Sequence, residues 1–346
     1  MRAQVLQEFT GPDGLRLEEV PDGRIEADDD VLIEVTACGV CHRDITFARG
    51  RFGAGRGRLP VVLGHEGAGI VLEAGNSVED LRAGDRIVHV QFPFCGGCPM
   101  CQGGRPQLCE RVRGAIGEVR PGAYAERLVL PRRLLHRVPD GVQDEAAAVS
   151  ACTLGTALHA LRLYGFEAEG RTVAINGAGG GVGTHAIQVA KELGARVIAV
   201  TSSERKQDPL RAMGADEVLV APDGRYHRAL TRLTSGRGVD LFFETVGAPT
   251  LEQSVLSVAK GGRVVVVGNP EGGTCSFNPV LLILRGELRM YGTLAVTGDE
   301  LEQVLAMVAD GRLRPVMDTA APLAELPEHM RRMEARGTVG RVVVRP

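Results

Sequence analysis

The stretch TVAINGAGGGVGTHAIQVAKELGARVIAV, Thr172 to Val200, reads as a buried strand, a glycine-rich turn, a helix and a second strand. From Gly181 to Leu193 the residues Val182, Ala186, Val189, Ala190 and Leu193 share one face at helical spacing. Glycine is needed between strand and helix because the backbone turns sharply there. A pyrophosphate can then approach the helix N-terminus, where free N–H groups and the helix dipole favour an anion. The six residues before the helix, Ala178, Gly179, Gly180, Gly181, Val182 and Gly183, follow G-x-G-x-x-G with Ala in the first place. In this setting the turn is expected to hold a dinucleotide.

Working outward, the same rhythm continues through RVIAV, DEVLV, VDLFFETVG and GRVVVVGN, with helical stretches between. Such alternation predicts βαβ units and a parallel sheet, hence an α/β fold. Pro209 predicts that the second helix starts near it. Residues 1 to about 152 differ: DVLIEVTACGV, PVVLGHEGAGIVLEAG, GDRIVHVQF and AYAERLVL are short strand-like runs between Gly, Pro and Asp breaks, so this part should be mostly β. From about Leu294 a helical segment, DELEQVLAMVADG, leads to a strand-like RVVVRP. At 346 residues the chain is expected to form about two domains.

The residues just after the second strand bear on which dinucleotide is held. A carboxylate there would pair with the ribose hydroxyls of NAD(H) and repel a 2′-phosphate. The chain instead places Thr201, Ser202 and Ser203 before Glu204, Arg205 and Lys206, which favours NADP(H) over NAD(H). A net charge of −3 and a pI near 6.3 give no electrostatic footprint for nucleic acid. No stretch approaches the roughly 18 apolar residues of a membrane span, and the N-terminus lacks a secretory h-region, so a cytoplasmic location is expected.

Half of the eight cysteines fall in CGGCPMCQGGRPQLC, as Cys95, Cys98, Cys101 and Cys109. A reducing compartment argues against disulfides, and the spacing suits four thiolates around one zinc. An iron–sulfur cluster is the rival, but its usual cysteine run differs and ends in Cys-Pro, whereas Glu110 comes next here. Four protein ligands leave no open position, so this zinc is expected to be structural.

Two further clusters are ACGVCHRD, with Cys38, Cys41, His42, Arg43 and Asp44, and GHEGAG, with His65 and Glu66. Each alone reads equally well as inert buried thiols or a structural histidine. With the cysteine loop, SACTLGTA and the glycine turn, in that order, the whole chain resembles the zinc-dependent medium-chain dehydrogenase/reductase family of the alcohol dehydrogenase type. The resemblance implies a GroES-like, β-rich catalytic domain (1–152 with 294–346). It also implies a Rossmann dinucleotide-binding domain with a doubly wound parallel sheet (153–293), and an active site in the cleft between the two. It implies a second, catalytic zinc on Cys41, His65 and Cys152, with Glu66 an intermittent ligand and Asp44 orienting His65. His42, Thr156, Thr245, Val246 and Gly268 would face the cofactor, and Arg341 would lie near its phosphates. An open zinc polarises a carbonyl or acidifies an alcohol, while the nicotinamide carries the hydride. Family members are commonly homodimers or homotetramers, and RMYGTLAVT could supply a pairing edge strand. A small-molecule substrate is implied, without its identity.

The pattern breaks beside the first zinc-ligand cysteine. Alcohol dehydrogenases usually carry Ser or Thr two residues after it, and often a His three further on, as a proton relay. Here those positions hold Arg43 and Thr46. A guanidinium accepts no proton, although it can stabilise an oxyanion. Interconversion of alcohols with aldehydes or ketones is the leading expectation. Reduction of activated C=C bonds, as in the acryloyl-CoA reductase branch, is the alternative, and a binder that has lost turnover the third. The arginines of RFGAGRGRLP are read as solvated rather than as a trap for acidic substrates.

Overall fold

The glycine-turn strand lies inside a six-stranded sheet of the computed structural model. Edge to edge the sheet runs Glu217–Val220, Arg196–Thr201, Thr172–Asn176, Val239–Glu244, Val258–Val266, Arg289–Gly292. Neighbours are parallel throughout. Numbered along the chain the order is 3-2-1-4-5-6, the doubly wound arrangement that reverses beside its first strand. The central strands are near-continuous apolar runs, with Val173 to Ile175, Val197 to Val200 and Leu241 to Phe243 all buried. That pattern is what a parallel sheet covered on both faces requires. The helix Gly181–Glu192 comes directly after the turn, with Gly180 as its cap. The second helix, Gln207–Ala212, is preceded by a short 3-10 segment, Glu204–Lys206. Pro209 sits in its first turn, where a missing N–H costs no intrahelical bond.

The structure describes residues 1–52, 58–112, 114–276 and 278–346. They form two units, Met1–Gly155 with Ala295–Pro346, and Thr156–Leu294. Part of the arginine-bearing loop RFGAGRGRLP lies outside the described residues. The first unit is built on a mainly antiparallel sheet in the order Met317–Pro322, Arg341–Arg345, Asp30–Val40, Gly67–Ala74, Arg86–His89, Leu135–Arg137. Arg127–Pro131 also pairs with Asp30–Val40. The C-terminal strand supplies Val342, Val343 and Val344 to the same core as Val31, Ile33 and Val35, which is why the unit needs both ends of the chain. A small sheet of Leu15–Glu19, Arg2–Leu6 and Val61–Val62 flanks it. Among the described residues no helix is long and apolar enough to cross a membrane.

His89 joins two strands of this unit. Its Nδ1 lies 2.9 Å from the Val90 carbonyl, and its Nε2 accepts the Gly67 N–H at 3.0 Å, an arrangement only the neutral ring allows. Burial pushes its pKa down to about 4. Because the folded value lies below the unfolded one, the neutral ring stabilises the fold fully above about pH 6.5. That contribution, on the order of 3 kcal/mol, is lost as pH falls toward 4. Denaturant titrations of the protein and of His89→Leu across pH 4–7 should show a steeper loss of stability in the parent; parallel curves would rule this out.

Candidate active site

Cys41 stands where the strand Asp30–Val40 meets the helix His42–Ala48 and caps that helix. The Asp44 carboxylate reaches back to the Cys41 N–H at 3.3 Å. His65 and Glu66 immediately precede the strand Gly67–Ala74, whose antiparallel register sets Gly67 opposite Cys38 and so carries both residues to the same end of the sheet. Cys152 arrives on a π-helical turn, Ala151–Gly155, the irregular kind of turn that frequently marks functional sites. Glu66 fits only because residue 39 is glycine: a Cβ there would lie 2.1 Å from Glu66 Oε2.

These segments bring four donors together. Cys41 Sγ is 3.8 Å from Cys152 Sγ, which is 3.9 Å from His65 Nε2, and Glu66 Oε1 is 3.8 Å from the same nitrogen. All four ligand atoms lie within 4.8 Å of one another, and all four residues are buried. Tetrahedral zinc with ordinary Zn–S and Zn–N bonds sets donors about 3.5–3.8 Å apart, so the spacing suits that ion. Electrostatics agree. Two thiols and the Glu66 and Asp44 carboxyls are withdrawn from water around one imidazole, and opposite them stands the Arg341 guanidinium. Burial pushes Glu66 up to about 7 despite Arg341. The bond from Cys152 holds Cys41 well below the usual thiol range, and the same bond with burial pushes Cys152 well above it. A divalent cation would offset the excess of acidic groups gathered here.

Behind the donors lies a buried chain of three groups. Tyr124 donates to Asp44 Oδ2 at 2.7 Å, and Asp44 Oδ1 lies 3.1 Å from His65 Nδ1. With the Nδ1 proton directed at Asp44, Nε2 turns its lone pair toward the cluster. Burial would lower the pKa of His65, but Asp44 and Cys41 outweigh it and raise it well above the ordinary value. Tyr124 carries no mark in the sequence beyond a place in a strand-like run.

Arg341 and Arg43 differ in setting from their sequence-based expectations. Arg341, expected near cofactor phosphates, is 3% exposed, with Nη2 2.9 Å from Glu66 Oε1 and 3.3 Å from Cys152 Sγ. Pairing of Val342 with Val40 delivers it there. Arg43, expected as an oxyanion partner, is held in a two-point pair by Glu118, at 2.6 Å from Nε and 2.8 Å from Nη2. Its guanidinium also lies against the rings of Phe52 and Phe92, 4.8 and 5.0 Å from their centroids. Thr46 donates its hydroxyl to the His42 carbonyl at 3.0 Å, a bond within its own helix. His42 opens that helix, and burial lowers its pKa.

In the cysteine loop, Cys98 Sγ lies 3.4 Å from Cys101 Sγ and 3.9 Å from Cys109 Sγ, and all four sulfurs fall within 4.8 Å of one another. Backbone amides at Cys101 and Glu110 hold the Cys98 thiol down at about 6, ready to ligate as thiolate. The loop fits a structural zinc.

The unit Thr156–Leu294 carries the remaining residues. Gly179 and Gly180 lead into Gly181, Val182 and Gly183 of the helix, and a Cβ at Gly183 would meet the Gly177 carbonyl at 2.4 Å. Lys206 is 7% exposed and lies across the turn, its Cδ 2.4 Å from where a Gly179 Cβ would be. Arg205 is exposed, and Thr201, at the end of its strand, accepts the Ser203 N–H at 3.3 Å, leaving Ser202 exposed beside it. Thr245, Val246 and Gly268 gather at the carboxyl ends of two neighbouring strands, where a Cβ on Gly268 would lie 2.9 Å from the Thr245 carbonyl. Thr156 is buried at the start of its helix.

Known proteins share this fold. Acryloyl-coenzyme A reductase of Sulfurisphaera tokodaii is 33% identical over 96% of this chain and 97% of its own. Residues 27–140 match the alcohol dehydrogenase GroES-like domain family, and residues 181–310 match the zinc-binding dehydrogenase family. The chain belongs to the zinc-dependent medium-chain dehydrogenases of the alcohol dehydrogenase type. This oxidoreductase is also similar to an alcohol dehydrogenase of Geobacillus stearothermophilus, with 32% identity over 100% of this chain and 99% of that one. The crystal structure of AibC superimposes with a TM-score of 0.91 at 42% identity, covering 100% of this chain and 96% of AibC.

Two outcomes are expected at these centres. Tyr124→Phe leaves an acceptor of buried Asp44 without its donor, so zinc should leave the Cys41 cluster about 10–100-fold more readily, measured by transfer to a chromophoric chelator. Unchanged release would deny Tyr124 any part in holding the ligand. Cys109→Ser should cost one metal ion per chain in elemental analysis and lower the thermal midpoint; retention of both ions would exclude the four-sulfur site.

Proposed function

We propose that this oxidoreductase passes hydride from a reduced nicotinamide dinucleotide, NADP(H) in preference to NAD(H), to the β-carbon of a small compound whose C=C bond is conjugated to a carbonyl. The observation that carries this reading is the setting of Arg43. Two residues after Cys41, where a proton relay would begin, stands a guanidinium paired with Glu118, and Thr46 spends its hydroxyl on its own helix. Neither offers the hydroxyl-to-imidazole path that alcohol oxidation uses. Conjugate reduction does not need one: hydride adds at the β-carbon, the π pair moves toward the carbonyl, and the α-carbon takes a proton from water, leaving oxidised dinucleotide and saturated product. The likeness to an acryloyl-coenzyme A reductase supports the same reading.

In it Cys41, His65 and Cys152 would hold a zinc, with Glu66 beside it, and the ion would supply Lewis acidity to the substrate carbonyl. Asp44 and Tyr124 keep His65 in the ligating tautomer. Arg43, paired with Glu118, accepts no proton. Gly179 to Gly183 would take the pyrophosphate, and Lys206 and Arg205 would supply positive charge for a 2′-phosphate. Subunits would associate through the edge strand Arg289–Gly292, beside the exposed Ile283, Leu284 and Met290, as a homodimer or homotetramer. Interconversion of alcohols and aldehydes or ketones is the second reading, supported by the alcohol dehydrogenase relative and by the same donor set.

The readings separate by product. Zinc-loaded protein with NADPH and cinnamaldehyde is expected to give the saturated aldehyde by NMR, and a crotonyl thioester the butyryl thioester. Cinnamyl alcohol would overturn conjugate reduction and restore the second reading. Nicotinamide fluorescence should show tighter binding of NADPH than NADH.

A further inference from the structure

Glu244 ends the strand Val239–Glu244 at the carboxyl edge of the parallel sheet, and its side chain is wholly buried. A carboxylate in such a place is tolerated only if donors saturate it. They come from several segments. The Val246 and Gly247 N–H groups donate to Oε1 at 2.7 and 3.0 Å. Thr250 Oγ1 lies 3.2 Å from both oxygens, and the Ser254 hydroxyl donates to Oε2. Asn176 Nδ2 lies 3.2 and 3.3 Å away, and the Tyr226 hydroxyl 3.4 Å.

Asn176 extends this hub into the glycine turn. Its Oδ1 accepts the Gly177 N–H at 2.8 Å, and its backbone carbonyl accepts the Thr245 hydroxyl at 2.7 Å. Gly177 adopts φ +63°, and a Cβ on it would lie 2.2 Å from Thr245 Oγ1. Turn and loop are thus already in contact, and one carboxylate ties down both. We infer that Glu244 is a positioning residue for the dinucleotide: without touching it, Glu244 sets the spacing between the turn Gly177–Gly181 and the loop Thr245–Gly247. The inference rests on the dinucleotide reading above. It adds the group that pre-organises that site, so that less ordering is left for the moment of binding.

Glu244→Gln tests it, because the amide keeps the volume but puts an NH2 where an acceptor stood, leaving at least one donor facing a donor. The dissociation constant for NADPH, read by nicotinamide fluorescence, should rise about tenfold in protein that remains folded. The KM for the dinucleotide should rise with it while kcat stays near that of the parent, and the Gly177, Val246 and Gly247 amides should exchange faster in the cofactor-free protein. A lower thermal midpoint with unchanged affinity and unchanged exchange would overturn the proposal and leave Glu244 a packing group. Should the variant fail to fold, Ser254→Ala removes one donor only; it should still weaken NADPH binding about threefold, and equal affinity would overturn the proposal. Failure of the parent protein to bind either NADPH or NADH would instead sink the dinucleotide reading itself, whatever the variants do.

Discussion

Burying two thiols, an imidazole and two carboxyl groups around one guanidinium is the constraint on which the catalytic unit is organised. Removing such groups from water is costly unless each charge is paired. The fold meets this in layers. Tyr124 and His65 engage Asp44, Arg341 engages Glu66, and Cys41 and Cys152 engage each other. The strand arrangement serves that requirement. Asp30–Val40 delivers Cys41, Gly67–Ala74 begins just after Glu66, and Arg341–Arg345 brings Arg341 from the far end of the chain, so three strands must hold register for the cluster to exist.

The second unit meets a comparable cost without a metal. Glu244 is surrounded by N–H and O–H donors, and their geometry, rather than a cation, makes its burial tolerable. Both devices convert a buried charge into a fixed arrangement of loops. A misplaced backbone segment leaves a buried polar group unpaired, and that cost is larger than the net worth of any one of the bonds. The cysteine loop is a third device of this kind, in which four sulfurs around one ion do the work of a core that a Gly- and Pro-containing loop cannot build.

Much of this was legible in the chain before any coordinates. The alternation of apolar strands with helical stretches announced the parallel sheet, and Pro209 the region where the second helix begins. Cys95, Cys98, Cys101 and Cys109 pointed to a metal by their spacing, once a reducing compartment argued against disulfides. Tyr124 was not legible, since a tyrosine in a strand-like run is ordinarily core. Arg43 was visible as a departure, but its partner Glu118 is 75 residues away and belongs to no motif. Asn176 and Glu244 each read as the polar end of an apolar strand.

Periodicity, turn chemistry and ligand spacing are local properties, written in consecutive residues, and by themselves they determined the parallel α/β sheet, the glycine turn after its first strand and the four-sulfur loop. Which charges neutralise one another was decided only by tertiary structure. The partners of Arg43, Arg341, Asp44 and Glu244 lie on different strands and loops, and strand register, not sequence distance, sets who meets whom. The electrostatic character of a site depends on those meetings, because in a buried, low-dielectric setting a contact of about 3 Å outweighs anything farther along the chain.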